Sequence, residues 1–370
     1  MPASELAATD AERFGEELRK RRDLVYEYLE SWPGADNFRP HDIHEALFSY
    51  VRHRGKGLRP ALLMLCAGAV GGDEMQALPA AAAVEIFQIW TLVHDDIIDR
   101  DETRRGSPTV HTLYGRLGRE KYKLAPDDAA HYGVSVAVLA GDLQQSWSFA
   151  LLCDLLERGV SPDLVTRLVR RMASSLTPKL LEGEMLDVQY SLNPRADLTG
   201  EDILRMLAGK TSALLEYAAW AGATVGLGAR DGARQSTYPD SLGRFAGLCG
   251  TAFQLQDDLL GLTADEAVLG KPVGSDVREG KRTLLVHYAL ETATEEERGH
   301  IQFALGNKVA TGKQTTLAID IILRSGAAER VRKLADLYIG QALNILDVLP
   351  ESEPKGLLRL WAAFLLARRN

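Results

Sequence analysis

The chain has 370 residues, 46% of them apolar, with 33 Gly and 14 Pro, which is ample for a large buried core and excludes a fibrous or disordered protein. A net charge of −8 with no long basic block argues against nucleic acid or an anionic membrane as the main partner. No stretch approaches the ~18 consecutive apolar residues of a membrane span. Met1 to Arg22 has no signal-peptide core. Cys66, Cys153 and Cys249 are odd in number and far apart, a pattern of reduced thiols in a cytoplasmic protein.

In chain order, residues 1–10 read as a tail and 11–370 as one helical domain. Ala11 to Trp32 is helical in pattern, broken at Pro33-Gly34. Pro40 to His53 gives a second helix, ended by Arg54-Gly55-Lys56-Gly57, and Leu58 to Ala69 a third. The apolar run from Ala80 continues as helix to Asp99. Arg104 to Gly118 reads as a loop, and Arg119 to Tyr132 as a charged excursion of no assigned form or role. Val134 to Arg158, Ser161 to Glu182 and Gly183 to Ser191 follow as helices. Asn193-Pro194-Arg195 reads as a turn, and Thr199 caps a helix to Gly222. Gly226 to Asp240 is a loop, Ser241 to Leu262 a helix, and Thr263 to Arg282 a Gly-containing loop. Segments near 283–292, 294–305, 312–325, 327–348 and 355–368 complete the pattern. With few period-2 runs, no hairpin signals and no internal repeat, the chain is expected to be all-α. The expected form is one large bundle of roughly ten or more helices around a central apolar cavity.

The chemistry concentrates at Asp95-Asp96-Ile97-Ile98-Asp99, with Arg104-Arg105-Gly106 just beyond. On a helix Asp95 and Asp99 share a face, while Asp96 lies about 100° round. Crowded carboxylates repel unless a cation bridges them, and an all-oxygen set with phosphate partners suits Mg²⁺. A solvated helix end with paired charges is the plain alternative. A second acidic pair, Asp257-Asp258, follows Phe253-Gln254 late on another apolar helix, and a Gly-rich stretch with Lys271, Lys281 and Arg282 comes after it. If the two helices face one another, the acids hold metal ions between them and the loop cations close over phosphates. Lys56 and Arg59 stand at a helix mouth, where orphan N–H groups favour an anion. Lys210-Thr211 interrupts an apolar run, where a lysine can also simply snorkel.

This ordered set resembles the trans-isoprenyl diphosphate synthases, or polyprenyl synthetases. It comprises Gly55-Lys56, Arg59-Pro60, the first acidic motif with its Arg pair, Gly141-Asp142, Lys210-Thr211, Phe253-Gln254 with Asp257-Asp258, and Gly270-Lys271. The resemblance implies a prenyltransferase that ionises an allylic diphosphate (dimethylallyl, geranyl or farnesyl). The double bond of isopentenyl diphosphate then adds to the cation, and a proton is lost. It implies Mg²⁺, three ions, with Mn²⁺ as a substitute, and a homodimer. Asp95, Asp99 and Asp257 would bind metal directly, with Asp96 and Asp258 supporting. Arg104, Lys210 and Lys271 would hold the allylic diphosphate, with Thr211, Gln254 and Lys281 near. Lys56, Arg59 and Arg105 would hold isopentenyl diphosphate without metal, joined by Gln88. Asp95, Asp99, Arg104, Lys210, Asp257 and Lys271 would carry catalysis.

Three positions depart from the family pattern: Gly261 where the second motif usually ends in Asp, Gly57 where Lys or Arg is common, and Glu184 where Gln is frequent. In this family, residues before the first motif set product length. Phe87 and Trp90 with small Thr91 resemble a twenty-carbon synthase, geranylgeranyl diphosphate being the expected product. Fifteen- and twenty-five-carbon products stay open, and Trp90 as a packing ring is the bland alternative. A class I terpene cyclase is disfavoured because Asp257 to Leu262 lacks the Asn, Ser and Glu of its second motif. A phosphohydrolase built on His94-Asp95 would want clustered His ligands, and His111 and His131 fall in or near loops. A non-catalytic partner subunit is disfavoured by the intact first motif.

Overall fold

The computed structural model describes residues 8–193, 197–228, 236–263 and 274–366. In chain order the helices are α1 (Ala8–Glu30), α2 (His41–Arg52), α3 (Leu58–Ala69) and α4 (Leu78–Ile98). A short hairpin, β1 (Thr103–Arg104) and β2 (Ser107–Pro108), precedes α5 (Val110–Tyr122), α6 (Pro126–Cys153) and α7 (Pro162–Arg171). There follow α8 (Thr177–Leu192), α9 (Gly200–Leu207), α10 (Ala213–Leu227) and α11 (Tyr238–Thr263). The last helices are α12 (Ser275–Glu279), α13 (Leu284–Thr292), α14 (Glu295–Ala304), α15 (Gly312–Arg324), α16 (Ala327–Ile345) and α17 (Glu353–Leu366). The all-α expectation holds. No helix among the described residues is long and apolar enough to cross a membrane.

The chain divides into two compact units. The first comprises residues 13–169 and 221–236. Its centre is α4, entered through Pro79 in the first turn, where the missing N–H costs nothing. α4 packs on α6 and α3, and α6 also carries α2 and α5. Ala80, Ala81, Ala82 and Ala83 are fully buried, so the first half of α4 presents almost only backbone to its neighbours. Trp147 on α6 anchors a ring cluster with Trp32, Phe38 and Phe48 at 5.2–5.5 Å between centroids. The end of α10 lies so close to α3 that a Cβ on Gly222 would overlap the Leu63 carbonyl.

One expectation fails in this unit, and one segment left open takes a form. Arg104 to Gly118 is not a loop: the hairpin is followed at once by α5, whose Val110, Leu113, Tyr114 and Leu117 fall at helical spacing. Gly106, Pro108, Gly115 and Gly118 obscured that period. The charged excursion is likewise the end of α5 and the start of α6, and it is tied down. Lys121 Nζ lies 3.1 Å from an Asp42 carboxylate oxygen, to which Tyr122 and Tyr132 also donate, and the Lys121 bond holds the Asp42 carboxyl below its usual range.

The second unit comprises residues 1–12, 170–220 and 237–370. α11 runs along α16 and also touches α17, where Trp361 packs beside Phe245 at 6.1 Å. Thr199 caps α9 as expected: its hydroxyl accepts from the Asp202 N–H, and Asp202 returns the bond to the Thr199 N–H, a capping box. α8 runs without interruption through Gly183, a glycine that serves a close helix contact. Two π-helical segments, Met172–Leu176 and Ala208–Ser212, interrupt the α-helical run. The expected turn at Pro194-Arg195 and the loop segments 229–235 and 264–273 lie outside the described residues.

Replacing Gly222 by Ala should lower the unfolding free energy, read from urea or thermal midpoints, by about 1–3 kcal/mol, the usual cost of overpacking. Gly299→Ala, on α14 with open space around its Cβ, should raise it by about 0.5–1 kcal/mol. Equal midpoints in the two variants would contradict the α3–α10 contact.

Candidate functional site

In the first unit the acidic motif ends α4, and Asp99 is its C-cap, donating its N–H to the Asp95 carbonyl at 2.8 Å. Asp95 and Asp99 are partly exposed, whereas Asp96 is fully buried. Tyr50 on α2 donates to one Asp96 oxygen, and Arg104 Nε lies 2.5 Å from the other. Arg104 also reaches Asp95 at 3.5 Å and Asp101 at 3.7 Å. Burial pushes the Asp96 carboxyl up to about 6, against the pull of Arg104 and Tyr50.

The hairpin after α4 fixes the Arg pair. Arg104 pairs with Ser107 in register, leaving Arg105 and Gly106 as a two-residue turn with φ of +53° and +76°. Positive φ at both central positions is the type I′ pattern. A bulky residue at the first of them is strained, a cost of order 1 kcal/mol that the hairpin imposes. Across from it lies the loop before α3. A Cβ on Gly55 would come 2.9 Å from Arg105 Nη2, so the Arg105 guanidinium packs against that backbone. Gly57 is the N-cap of α3 with φ +67°, and a Cβ there would run into the Arg22 side chain. The missing cation at 57 is therefore a backbone requirement. Lys56 and Arg59 flank that cap.

Higher on α4, Gln88 is partly exposed and its carbonyl accepts from the Thr91 hydroxyl at 2.8 Å. Phe87 and Trp90 are buried and meet edge to face at 4.8 Å and 78°. Trp90 stands 6.0 Å from the His94 ring, and its buried indole N–H has no hydrogen-bond partner among the described residues. Gly141 on α6 leaves room for the His94 ring, while Asp142 is exposed.

In the second unit, Lys210 sits in the π-helical segment Ala208–Ser212, a distortion common at functional sites. Gly209 there abuts Gly183 of α8 with no space for a Cβ on either. The close approach sets Lys210 Nζ 2.6 Å from Asp187 and 3.0 Å from Glu184, so the lysine does not simply snorkel. Asp187 is a residue that sequence reasoning left unassigned, and its i,i+3 spacing from Glu184 was the available signal. The next residue, Thr211, donates to Gln254 Oε1 at 3.0 Å, and Gln254 Nε2 donates to Asp258 Oδ1 at 3.0 Å. Asp257 is partly exposed and Asp258 buried.

The acid missing at position 261 has a counterpart. The chain folds back over Gly261, whose carbonyl accepts from the Gly274 N–H at 3.1 Å. Asp276 Oδ2 then lies 3.0 Å from where a Gly261 Cβ would be. Lys281 Nζ is 4.0 Å from Asp276 and 3.0 Å from Glu279. Lys271 lies outside the described residues. Burial, then the charges of Asp276 and Asp257, push the Asp258 carboxyl up to about 8, and its Oδ2 has no hydrogen-bond partner among the described residues. Among the described residues no three acidic, His or Cys side chains already converge on one point. The donor chemistry nonetheless fits a small hard cation: oxygen ligands only, and an orphaned buried carboxylate oxygen beside two like charges.

A sequence model of the polyprenyl synthetase family matches residues 40–322. A short chain isoprenyl diphosphate synthase of Methanothermobacter thermautotrophicus is 35% identical over 353 residues, 95% of this chain and 98% of that one. A geranylfarnesyl diphosphate synthase of Aeropyrum pernix is 35% identical over 333 residues, 89% of this chain and 95% of that one. Among solved structures, a geranylgeranyl pyrophosphate synthase from Corynebacterium glutamicum, complexed with isoprenyl diphosphate and magnesium, superposes with a TM-score of 0.81. It is 31% identical, and the match covers 96% of this chain and 99% of that one.

The raised Asp258 pKa has a stability consequence in divalent-free buffer. An acid whose folded pKa exceeds its unfolded one favours the native state while protonated, and that advantage fades as pH rises from 3.8 to about 8. Asp258→Asn escapes this loss, so its melting temperature should exceed that of the parent protein by a margin that grows across this window and then levels. A margin independent of pH would show that Asp258 is not held protonated.

Proposed function

The chain belongs to the polyprenyl synthetase family and is a prenyltransferase, and from that premise we propose that it makes geranylgeranyl diphosphate by head-to-tail addition of isopentenyl diphosphate to allylic diphosphates. The observation that carries this reading is the association of hard oxygen donors with separately built cationic loops.

The difficult step is heterolysis of the allylic C–O bond, the electron pair leaving with pyrophosphate. Magnesium, when bound, neutralises charge on that leaving group. Asp95 and Asp99 at the end of α4, and Asp257 on α11, are the residues assigned to hold it, three ions in all. Asp96 and Asp258, both buried, act as supports; Asp96 does so by fixing Arg104. Arg104, Lys210, Lys271 and Lys281 are assigned to the allylic diphosphate, with Thr211 and Gln254 aligning Asp258. The π electrons of isopentenyl diphosphate then form the new C–C bond, and the released pyrophosphate takes the proton. Lys56, Arg59, Arg105 and Gln88 are assigned to this second substrate, which never ionises and needs no metal. The shielded Phe87–Trp90 pair supports a floor that halts growth at twenty carbons.

Purified protein with Mg²⁺, isopentenyl diphosphate and farnesyl diphosphate should form a twenty-carbon diphosphate, read by chromatography; free phosphate or a cyclic hydrocarbon would overturn the proposal. Asp95→Ala should lower kcat by about 10²–10³, while Lys56→Ala should mainly raise KM for isopentenyl diphosphate. Equal effects on both substrates would undo the division of roles. Trp90→Ala should lengthen the product, and an unchanged length would remove Trp90 from the floor.

A further inference from the structure

Four carboxylates are buried among the described residues: Glu85, Asp96, Asp187 and Asp258. The last three belong to the acidic and cationic clusters above. Glu85 does not. It lies on α4 ten residues before Asp95, 5% exposed, among fully buried Ala83, Val84 and Ile86. Isolated burial of an ionisable group is costly unless its oxygens are engaged and its charge is answered.

Both conditions are met, and on one side. Glu85 Oε1 accepts from the Tyr26 hydroxyl at 2.6 Å. Tyr26, from α1, is itself fully buried, and the same oxygen accepts from the Gly55 N–H at 2.6 Å. One hydroxyl thus spends its donor on the carboxyl and a lone pair on the backbone of the Arg54–Gly57 loop. The Tyr26 ring also carries the Arg54 guanidinium at 5.6 Å. Against Gly55 rests Arg105, the strained residue of the hairpin turn. Burial pushes the Glu85 carboxyl up, and the charges of Arg59 and Arg105 pull it down. The carboxyl therefore feels both guanidinium groups and the loop between them.

We propose that Glu85 is a positioning residue for the isopentenyl diphosphate site: through Tyr26 it fixes the loop bearing Lys56, and by its charge it holds Arg59 and Arg105 ready for a diphosphate. The inference rests on the assignment of that substrate to these three cations. Glu85 touches no reacting atom. Its effect is on the pre-ordering of cations that would otherwise repel one another, and so on binding of the metal-free substrate.

Glu85→Gln keeps the shape and a hydrogen-bond acceptor and removes the charge, and Tyr26→Phe cuts the link to Gly55. In the full-length enzyme each should raise KM for isopentenyl diphosphate, Glu85→Gln by about tenfold, with kcat and the allylic KM changed by no more than about twofold. Glu85→Gln removes the charge and Tyr26→Phe the relay, so the double variant should cost more than either single change. An unchanged KM for isopentenyl diphosphate, or a parallel rise for both substrates, would overturn the proposal. Arg105→Lys separates the two levels of the argument. If it raises KM for isopentenyl diphosphate while Glu85→Gln does not, the positioning role fails alone; if it acts on the allylic substrate instead, the underlying assignment fails.

Discussion

Acids placed late on a helix stand at the unfavourable end of its dipole, where partial negative charge already accumulates. Asp95, Asp96 and Asp99 end α4, and Asp257 and Asp258 fall in the last two turns of α11. Much else in both units answers that repulsion. Arg104 crosses from the hairpin to Asp96, Tyr50 reaches up from α2, and Gln254 turns its amide onto Asp258. The like charge that remains is the quantity a divalent cation would neutralise.

The cations are placed by backbone more than by side-chain choice. Arg105 is aimed by a two-residue turn, Lys210 by a π-helical segment pressed against α8, and the Lys56 loop by a left-handed cap at Gly57. In each case a glycine next to or near the cation, at 106, 209 and 57, permits a path that a side chain would block or strain. Lysine and arginine side chains are long and entropically expensive to fix. Shaping the main chain beneath them reduces what binding has to order.

Much of this was legible from the residues. The long helices show a clear 3.6 period, and the acidic motifs with their cations identify one chemistry. What escaped was what depends on contacts. The period of α5 was masked by Gly115 and Gly118, whose value lies in packing. The hairpin is two residues per strand, too short for alternation to register. Asp187 and Asp276 took meaning only when Lys210 and Gly261 were placed beside them. Glu85 gave no signal in the sequence because its partner Tyr26 lies 59 positions away.

Gly261 and Asp276 together carry a lesson for anyone redesigning this chain. Restoring the common motif by writing Asp at 261 looks like a repair on an alignment. In space it would push a new β-carbon to within 3.0 Å of a carboxylate that already stands there. Two negative groups would then compete for one place beside Asp258. The two positions form a single structural unit although they stand fifteen places apart in the chain, and engineering that edits one should edit the other.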